Sequence, residues 1–184
     1  MVSRFLERRN WRRRARAYVA VLQREPDDEG ARWLAELRRP HDLDHARWEL
    51  RYARLALGQL EAERDALDDR APSTVAHELV AALERDHRVA AGMLDTAKRQ
   101  FNARLLRYRE ALGTRGAAEP LARRLGRELL RFAHGENRFD GSDEDRAGEL
   151  LRRYTTEFNV ALQSAFGRAK LPEDIRPSEA AAGI

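Results

Sequence analysis

Apolar residues recur every three or four positions along most of the chain, which is the spacing of amphipathic α-helices. Over residues 42–68 a seam of leucine and alanine runs beside a second apolar stripe that contains Trp48 and Tyr52. Two stripes predict a helix that is covered on two sides, and therefore one inside a bundle. Residues 74–112 carry a similar seam, which passes through Val80, His87 and Tyr108.

The connection between these two segments is short, and short connections join antiparallel neighbours in helical bundles. No segment alternates convincingly with the period of two that marks a strand. The pattern therefore predicts an all-α protein, an irregular bundle of five or six helices built around a long antiparallel helical hairpin (about 42–68 and 74–112). We divide the chain into a basic amphipathic N-terminal helix or arm (1–24), a single helical-bundle domain (25–171) and a flexible tail (172–184).

The charge of the chain is concentrated at its beginning. Residues 1–24 contain eight arginines and one acid, Glu7, for a net charge of +7. The whole chain carries only +4, so residues 25–184 together carry −3. The basic segment therefore precedes a mildly acidic body.

Two compositional facts narrow the classes of protein. Cysteine is absent, which excludes disulfides and thiolate chemistry. No run of 18 apolar residues occurs, and arginines interrupt every candidate for the apolar region of a signal peptide. These features predict no transmembrane segment and a cytoplasmic location, which includes the periphery of a membrane.

The basic segment is the candidate binding site. Trp11, Tyr18 and Leu22 share one face of its helix, and Arg12, Arg13 and Arg16 point away from that face. Arginine is planar and permanently charged, and it pairs with carboxylates and phosphates. The predicted partner-binding residues are Arg4, Arg8, Arg9, Trp11, Arg12, Arg13, Arg14 and Arg16.

Three interpretations of this segment stay open. The arginines could form a solvated face that the acidic body of the same chain balances. They could dock on an acidic protein surface or an anionic membrane surface, where each arginine contributes about 1 kcal/mol. They could also contact nucleic acid, with aromatic side chains stacked on bases.

A metal site is the sharpest alternative. Glu84 and His87 form a Glu-x-x-His pair, which on a helix is the ligand motif of di-iron carboxylate bundles. Such a site needs a second pair, and the sequence contains no other Glu-x-x-His. Glu84 and His87 are therefore weak metal candidates, and we expect neither a metal nor a cofactor.

Motifs for catalysis are also lacking. The chain has no Gly-x-Ser-x-Gly elbow and no glycine-rich phosphate loop, so an enzymatic function is unsupported. Arg64, His87 and Tyr108 could line a small-ligand pocket. Arg64 is unusual at a core position unless an acid pairs with it, such as Glu78 across the hairpin.

The hypothesis that best fits these observations is a non-enzymatic helical adaptor or membrane-extrinsic accessory subunit. It would dock through its Arg-rich N-terminal segment on an acidic protein or anionic membrane surface. The alternatives are a nucleic-acid-binding helical protein and a metal-binding (ferritin-like) or small-ligand-binding bundle.

Overall fold

The computed structural model describes residues 2–37, 39–66, 69–114, 118–135 and 139–167, and within residues 2–8 it describes the backbone. The all-α class and the irregular bundle are confirmed. These ranges contain seven helices, where five or six were predicted. They are α1 (Val2–Leu22), α2 (Asp28–Glu36), α3 (Leu43–Asp65), α4 (Arg70–Arg85), α5 (Leu94–Gly113), α6 (Leu121–His134) and α7 (Gly141–Phe166).

The centre of the bundle is α3, which contacts each of the other six helices. It begins at Asp42, whose carboxylate accepts a hydrogen bond from the His45 backbone N–H at 2.8 Å and so caps the first turn. Every residue from 52 to 62 is buried. The two apolar stripes of this helix therefore both face neighbours, as their positions predict.

The second arm of the predicted hairpin is not one helix. Residues 86–93 separate α4 from α5, and Gly92 in this segment has a φ of +81°, a left-handed conformation that favours glycine. Arg88 stabilises the segment through an ion pair with Asp86, in which Nε lies 2.8 Å from Oδ1, and through a second pair with Glu25. Residues 74–112 therefore form two helices, and both pack on α3.

The break also changes which residues of α4 face inward. Val80, a predicted seam residue, is 40% exposed, whereas Val75 and Leu79 are buried. The predicted apolar seam through residues 74–112 assumes one uninterrupted helix. Because α4 ends at Arg85, its inner face is set independently of the inner face of α5.

Two glycines bring α6 and α7 into close contact. A Cβ at Gly126 would lie 2.1 Å from the Glu144 carbonyl oxygen, and a Cβ at Gly148 would lie 2.3 Å from the Ala122 carbonyl oxygen. Both distances are far shorter than a van der Waals contact. The two helix backbones can approach this closely only because neither position carries a side chain.

The second half of α1 belongs to the hydrophobic core. Ala15, Tyr18, Val19 and Leu22 are at most 3% exposed, and α1 packs against α3, α4 and α7. The division of the chain at residue 24 stays a prediction. The predicted tail, 172–184, lies outside the described residues.

Candidate partner-binding face on the first helix

The inner side of α1 is fixed to the bundle by polar as well as apolar contacts. The Tyr18 hydroxyl donates to the Gly58 carbonyl oxygen at 2.8 Å, and burial raises the pKa of this hydroxyl. The buried guanidinium of Arg54 donates to the carbonyl oxygens of Val21 and Leu22 at 2.8 and 3.2 Å. A cation at the C-terminus of a helix complements the helix dipole. These contacts determine which side of α1 faces solvent.

The outward side of α1 carries most of the predicted partner-binding arginines. Arg9, Arg12, Arg13 and Arg16 are exposed, and Arg14 is partly buried. The side chains of Arg4 and Arg8 lie outside the described residues. The periodic separation of arginine from apolar residues, seen in the sequence, is therefore present on the folded helix from residue 9 onwards.

Trp11, the remaining predicted partner-binding residue, packs against the bundle. Its ring stacks on Phe166 of α7 with a centroid distance of 5.7 Å and an interplanar angle of 27°. The Arg14 guanidinium carbon lies 5.9 Å from the Trp11 ring centroid. Trp11 therefore joins α1 to α7, and its ring is already in contact with two side chains of the same chain.

In the part of the chain that the structure describes, a single carboxylate, that of Glu78 on α4, lies within ion-pair distance of the outward arginines. Arg16 Nε is 3.0 Å from Glu78 Oε2, and Arg12 Nε is 3.8 Å from Oε1. Arg85, also on α4, places Nη2 3.9 Å from the same carboxylate. The Glu78 side chain is only 5% exposed. One buried negative charge is thus shared among three guanidiniums.

The other arginines of this face have no such partner. Among the described residues, no carboxylate lies within 4.0 Å of Arg9, Arg13 or Arg14. Arg13 donates to the neutral side chain of Asn10 at 3.3 Å. The exposed face formed by Arg9, Arg12, Arg13 and Arg16 therefore carries four positive charges against the one buried carboxylate of Glu78. We call these four residues the α1 face.

Most arginines on the other helices are matched to acids, although Arg32, Arg99, Arg124 and Arg153 have no carboxylate within 4.0 Å among the described residues. Arg107 of α5 pairs with Glu128 at 3.1 Å, and Arg109 pairs with Glu63 at 2.8 Å. Arg127 of α6 contacts two carboxylates, those of Glu119 and Glu144, and its hydrogen bonds to them raise its pKa. Among the described residues, most arginines outside α1 therefore contact a carboxylate, whereas Arg9, Arg13 and Arg14 of α1 do not.

The weak metal candidates do not form a ligand pair. Glu84 lies on α4 and binds Lys98, with Oε1 2.7 Å from Nζ. His87 is exposed and follows the end of α4, so the i and i+3 geometry of a continuous helix is lost. No group of three or more potential metal ligands occurs in the part of the chain that the structure describes.

The predicted ligand-lining residues are also separated. Arg64 lines a cavity of about 530 Å³ between α3, α6 and α7, whereas neither His87 nor Tyr108 is among the lining residues. Arg64 pairs with Glu61 and Asp65 of its own helix rather than with Glu78, and its side chain is 59% exposed. The expectation of a core position for Arg64 was therefore wrong, and its acidic partners lie on its own helix and not across the hairpin.

Sequence reasoning missed the buried charged residues, which include Glu78 and Arg54. Each seam was drawn through apolar residues only, so polar residues beside a seam were assigned to solvent. Glu78 lies between Val75 and Ala82, both buried, which places it on the inner face of α4. That position beside buried neighbours was the available signal.

None of the helices in the described ranges is both long enough and apolar enough to cross a membrane. Comparison with protein-family models, with curated proteins and with solved structures finds no match to the chain.

Proposed function

We propose that this protein is a non-enzymatic helical adaptor or accessory subunit that docks through the α1 face on an acidic protein surface. The observation that carries the proposal is the ratio of charges on the α1 face: of its four exposed guanidiniums, two contact the one buried carboxylate of Glu78, and two have no carboxylate within 4.0 Å among the described residues. Arginine forms bidentate pairs with carboxylates, so an acidic partner supplies what the face lacks.

The positions of the apolar residues of α1 favour a protein partner over a membrane. A helix that binds in the membrane interface inserts its apolar side into the boundary between headgroups and acyl chains. In α1 that side, which includes Ala15, Tyr18 and Leu22, is buried inside the bundle. From residue 9 onwards the exposed side is the one that carries the arginines, so this part of α1 would be held on an anionic membrane by electrostatic attraction alone.

The same packing disfavours nucleic acid. Proteins that bind single strands commonly stack bases on exposed aromatic rings. Trp11 is stacked on Phe166, and Tyr18 is buried with its hydroxyl bonded to Gly58. Contacts to phosphates remain open to the arginines, and the net charge of −3 over residues 25–184 opposes the approach of a long polyanion.

The test compares three anionic probes with the intact protein at 50 and 200 mM salt. The probes are a poly-L-glutamate peptide of 20 residues, vesicles of phosphatidylglycerol and phosphatidylcholine, and a 20-base-pair DNA duplex. We expect the peptide to bind most tightly and its affinity to fall with salt. Stronger binding to vesicles or to DNA would assign the partner to that class instead. Binding to none of the probes at 50 mM salt would contradict the docking function.

A variant confirms which arginines are responsible. Changing Arg8, Arg9, Arg12, Arg13, Arg14 and Arg16 to glutamine should abolish binding of the peptide. Retention of the affinity by this variant would contradict the proposal. Circular dichroism and a urea titration of the same variant separate a loss of binding from a loss of folding.

A further inference from the structure

The cavity that Arg64 lines is polar at one end and apolar at the other. Asn159 of α7 and Glu61 of α3 lie at the polar end, and Gly148 and Leu125 lie toward the other. Residues 148 and 159 are eleven positions apart on α7, a distance of about 16 Å along a helix. The volume of about 530 Å³ lies within the range typical of small-molecule sites.

Apolar side chains form the walls of this cavity. They come from four helices and are Leu57, Leu112, Leu121, Leu125 and Val160. Leu121 and Val160 are 40% and 65% exposed. An aliphatic ligand in the cavity would cover both residues.

At the polar end, two carboxylates share one guanidinium. Arg64 binds Asp65 through two hydrogen bonds of 2.7 and 2.8 Å, and it binds Glu61 through one of 2.7 Å. The Asn159 amide also bridges the pair, at 3.2 Å from Glu61 and 3.0 Å from Asp65. These four side chains carry a net charge of −1 when both acids are ionised.

Glu61 is 5% exposed, and burial is the main cause that raises its pKa. Its hydrogen bond with Asp65 and the charge of Asp65 raise this pKa further, while the Asn159 amide and the Arg64 charge act in the opposite direction. The other arginine of the cavity, Arg152, is engaged by Glu149 through two hydrogen bonds of 2.8 Å. A further cation near Glu61 would compensate the charge that the described side chains leave uncompensated.

We propose that this cavity is a binding site for a small amphipathic amine, whose ammonium group pairs with Glu61 and whose aliphatic chain lies along Leu57, Leu125 and Val160. The proposal is independent of the α1 face, which lies on a different helix. The charge of the head group decides the specificity: a primary amine complements the cluster, whereas a carboxylate of the same chain length is repelled by it.

Isothermal titration calorimetry with decylamine, decanol and decanoate, each below its critical micelle concentration, tests the proposal on the full chain. We expect one decylamine per protein, bound at least tenfold more tightly than decanol, and no detectable binding of decanoate. Decanoate that binds as tightly as decylamine would overturn the proposal, and so would the absence of decylamine binding.

Two variants and a control locate the site. Glu61→Gln keeps an acceptor for Arg64 and Asn159 but removes the charge, so decylamine should bind at least tenfold more weakly. Thr156→Trp, at an exposed position of the cavity wall, should reduce the affinity for both decylamine and decanol by obstruction. Glu36→Gln, which removes an exposed acid of α2, should change neither affinity. Decylamine affinity that is unchanged in both Glu61→Gln and Thr156→Trp would place the amine elsewhere and overturn the proposal.

Discussion

Three arginines on α5 and α6 and three on α1 occupy similar helical positions but have different surroundings. Arg107, Arg109 and Arg127 each lie within about 3 Å of a carboxylate on another helix or loop. Arg9 and Arg13 on α1 have no carboxylate within 4.0 Å in the described part of the chain, and Arg12 reaches only Glu78, at 3.8 Å. Ion pairs within the chain therefore account for Arg107, Arg109 and Arg127, but they leave the exposed arginines of α1 unexplained.

This difference shows that an arginine can be identified as available to a binding partner only when the carboxylates around it are known. Like charges at i and i+4 on a helix are destabilising by a few tenths of a kcal/mol per pair, and α1 contains such pairs at Arg9 and Arg13 and at Arg12 and Arg16. The folded chain tolerates this cost. An acidic partner would offset it in the complex.

The largest expected loss of stability comes from changing Arg104, an arginine whose carboxylate partner is buried. Arg104 binds Glu49 through two hydrogen bonds of 2.5 and 3.0 Å, and both side chains are nearly inaccessible. Arg104→Met should lower the free energy of unfolding by about 3–5 kcal/mol at pH 7, because it leaves a buried carboxylate without a partner. A urea titration measures the loss.

The pH dependence of Arg104→Met follows from Glu49. Burial raises the pKa of Glu49 even with Arg104 present, although Arg104 opposes the shift through its hydrogen bond and charge. A raised carboxyl pKa in the folded state means that stability falls as pH rises through that pKa. The variant should therefore be less destabilised at pH 5 than at pH 7. Equal destabilisation at both values would contradict this account, and Arg104→Met with Glu49→Gln should recover much of the stability.

The next largest expected effect is a difference in peptide binding between variants of the α1 arginines and variants of the arginines on α5 and α6. The triple variant Arg9→Gln, Arg12→Gln and Arg13→Gln should bind the poly-L-glutamate peptide about 10- to 100-fold more weakly, at roughly 0.5–1 kcal/mol per charge. The matched triple variant Arg107→Gln, Arg109→Gln and Arg127→Gln removes the same charge, and its affinity should stay within about threefold of the wild type. Fluorescence anisotropy at 50 mM salt gives both affinities. Equal losses would mean that net charge alone determines binding.

A smaller effect is expected at the break between α4 and α5. Arg88 pairs with Asp86 and Glu25, and its side chain is 23% exposed. Arg88→Met should cost about 1–2 kcal/mol of unfolding free energy at pH 7, discounted for this partial exposure.

Lowering the pH should remove the contribution of Arg88 to the free energy of unfolding. The pKa of Asp86 is lowered below the ordinary value of 3.8, because its hydrogen bonds with Arg88 outweigh the effect of burial. A lowered carboxyl pKa gives stability that is present above the ordinary value and is lost as pH falls through the folded value. Wild type and Arg88→Met should therefore differ at pH 7 and converge toward pH 2. A difference that persists at pH 2 would show that Arg88 acts through packing.

The sequence was sufficient for the fold class and for the orientation of α1, because both depend on the position of apolar residues. Ala15, Tyr18 and Leu22 were predicted on one face and are buried. The sequence did not predict the break between α4 and α5 at residues 86–93. The apolar period continues through that segment, and only the left-handed Gly92 and the Arg88 pairs interrupt the helix.

The candidate site was predicted in part. Periodicity placed Arg12, Arg13 and Arg16 on the solvent side, but no pattern in one sequence shows which carboxylate lies opposite a given arginine. The pairing of Arg16 with Glu78 depends on how α1 packs against α4, and the stacking of Trp11 depends on Phe166, 155 positions away. Both depend on tertiary packing, which helix periodicity does not specify.

The most direct test of the central claim measures the free energy of unfolding of the two triple variants by urea titration at pH 7 and low salt. If Arg9 and Arg13 are unmatched within the chain and Arg12 contacts Glu78 only at 3.8 Å, Arg9→Gln with Arg12→Gln and Arg13→Gln leaves stability unchanged or raises it by about 0.5 kcal/mol, through relief of like-charge repulsion. The Arg107, Arg109 and Arg127 variant should lose about 1–2 kcal/mol, because each change removes ion pairs between elements. An equal loss in the α1 variant would show that those arginines already have partners inside the molecule, and the docking function would lose its basis.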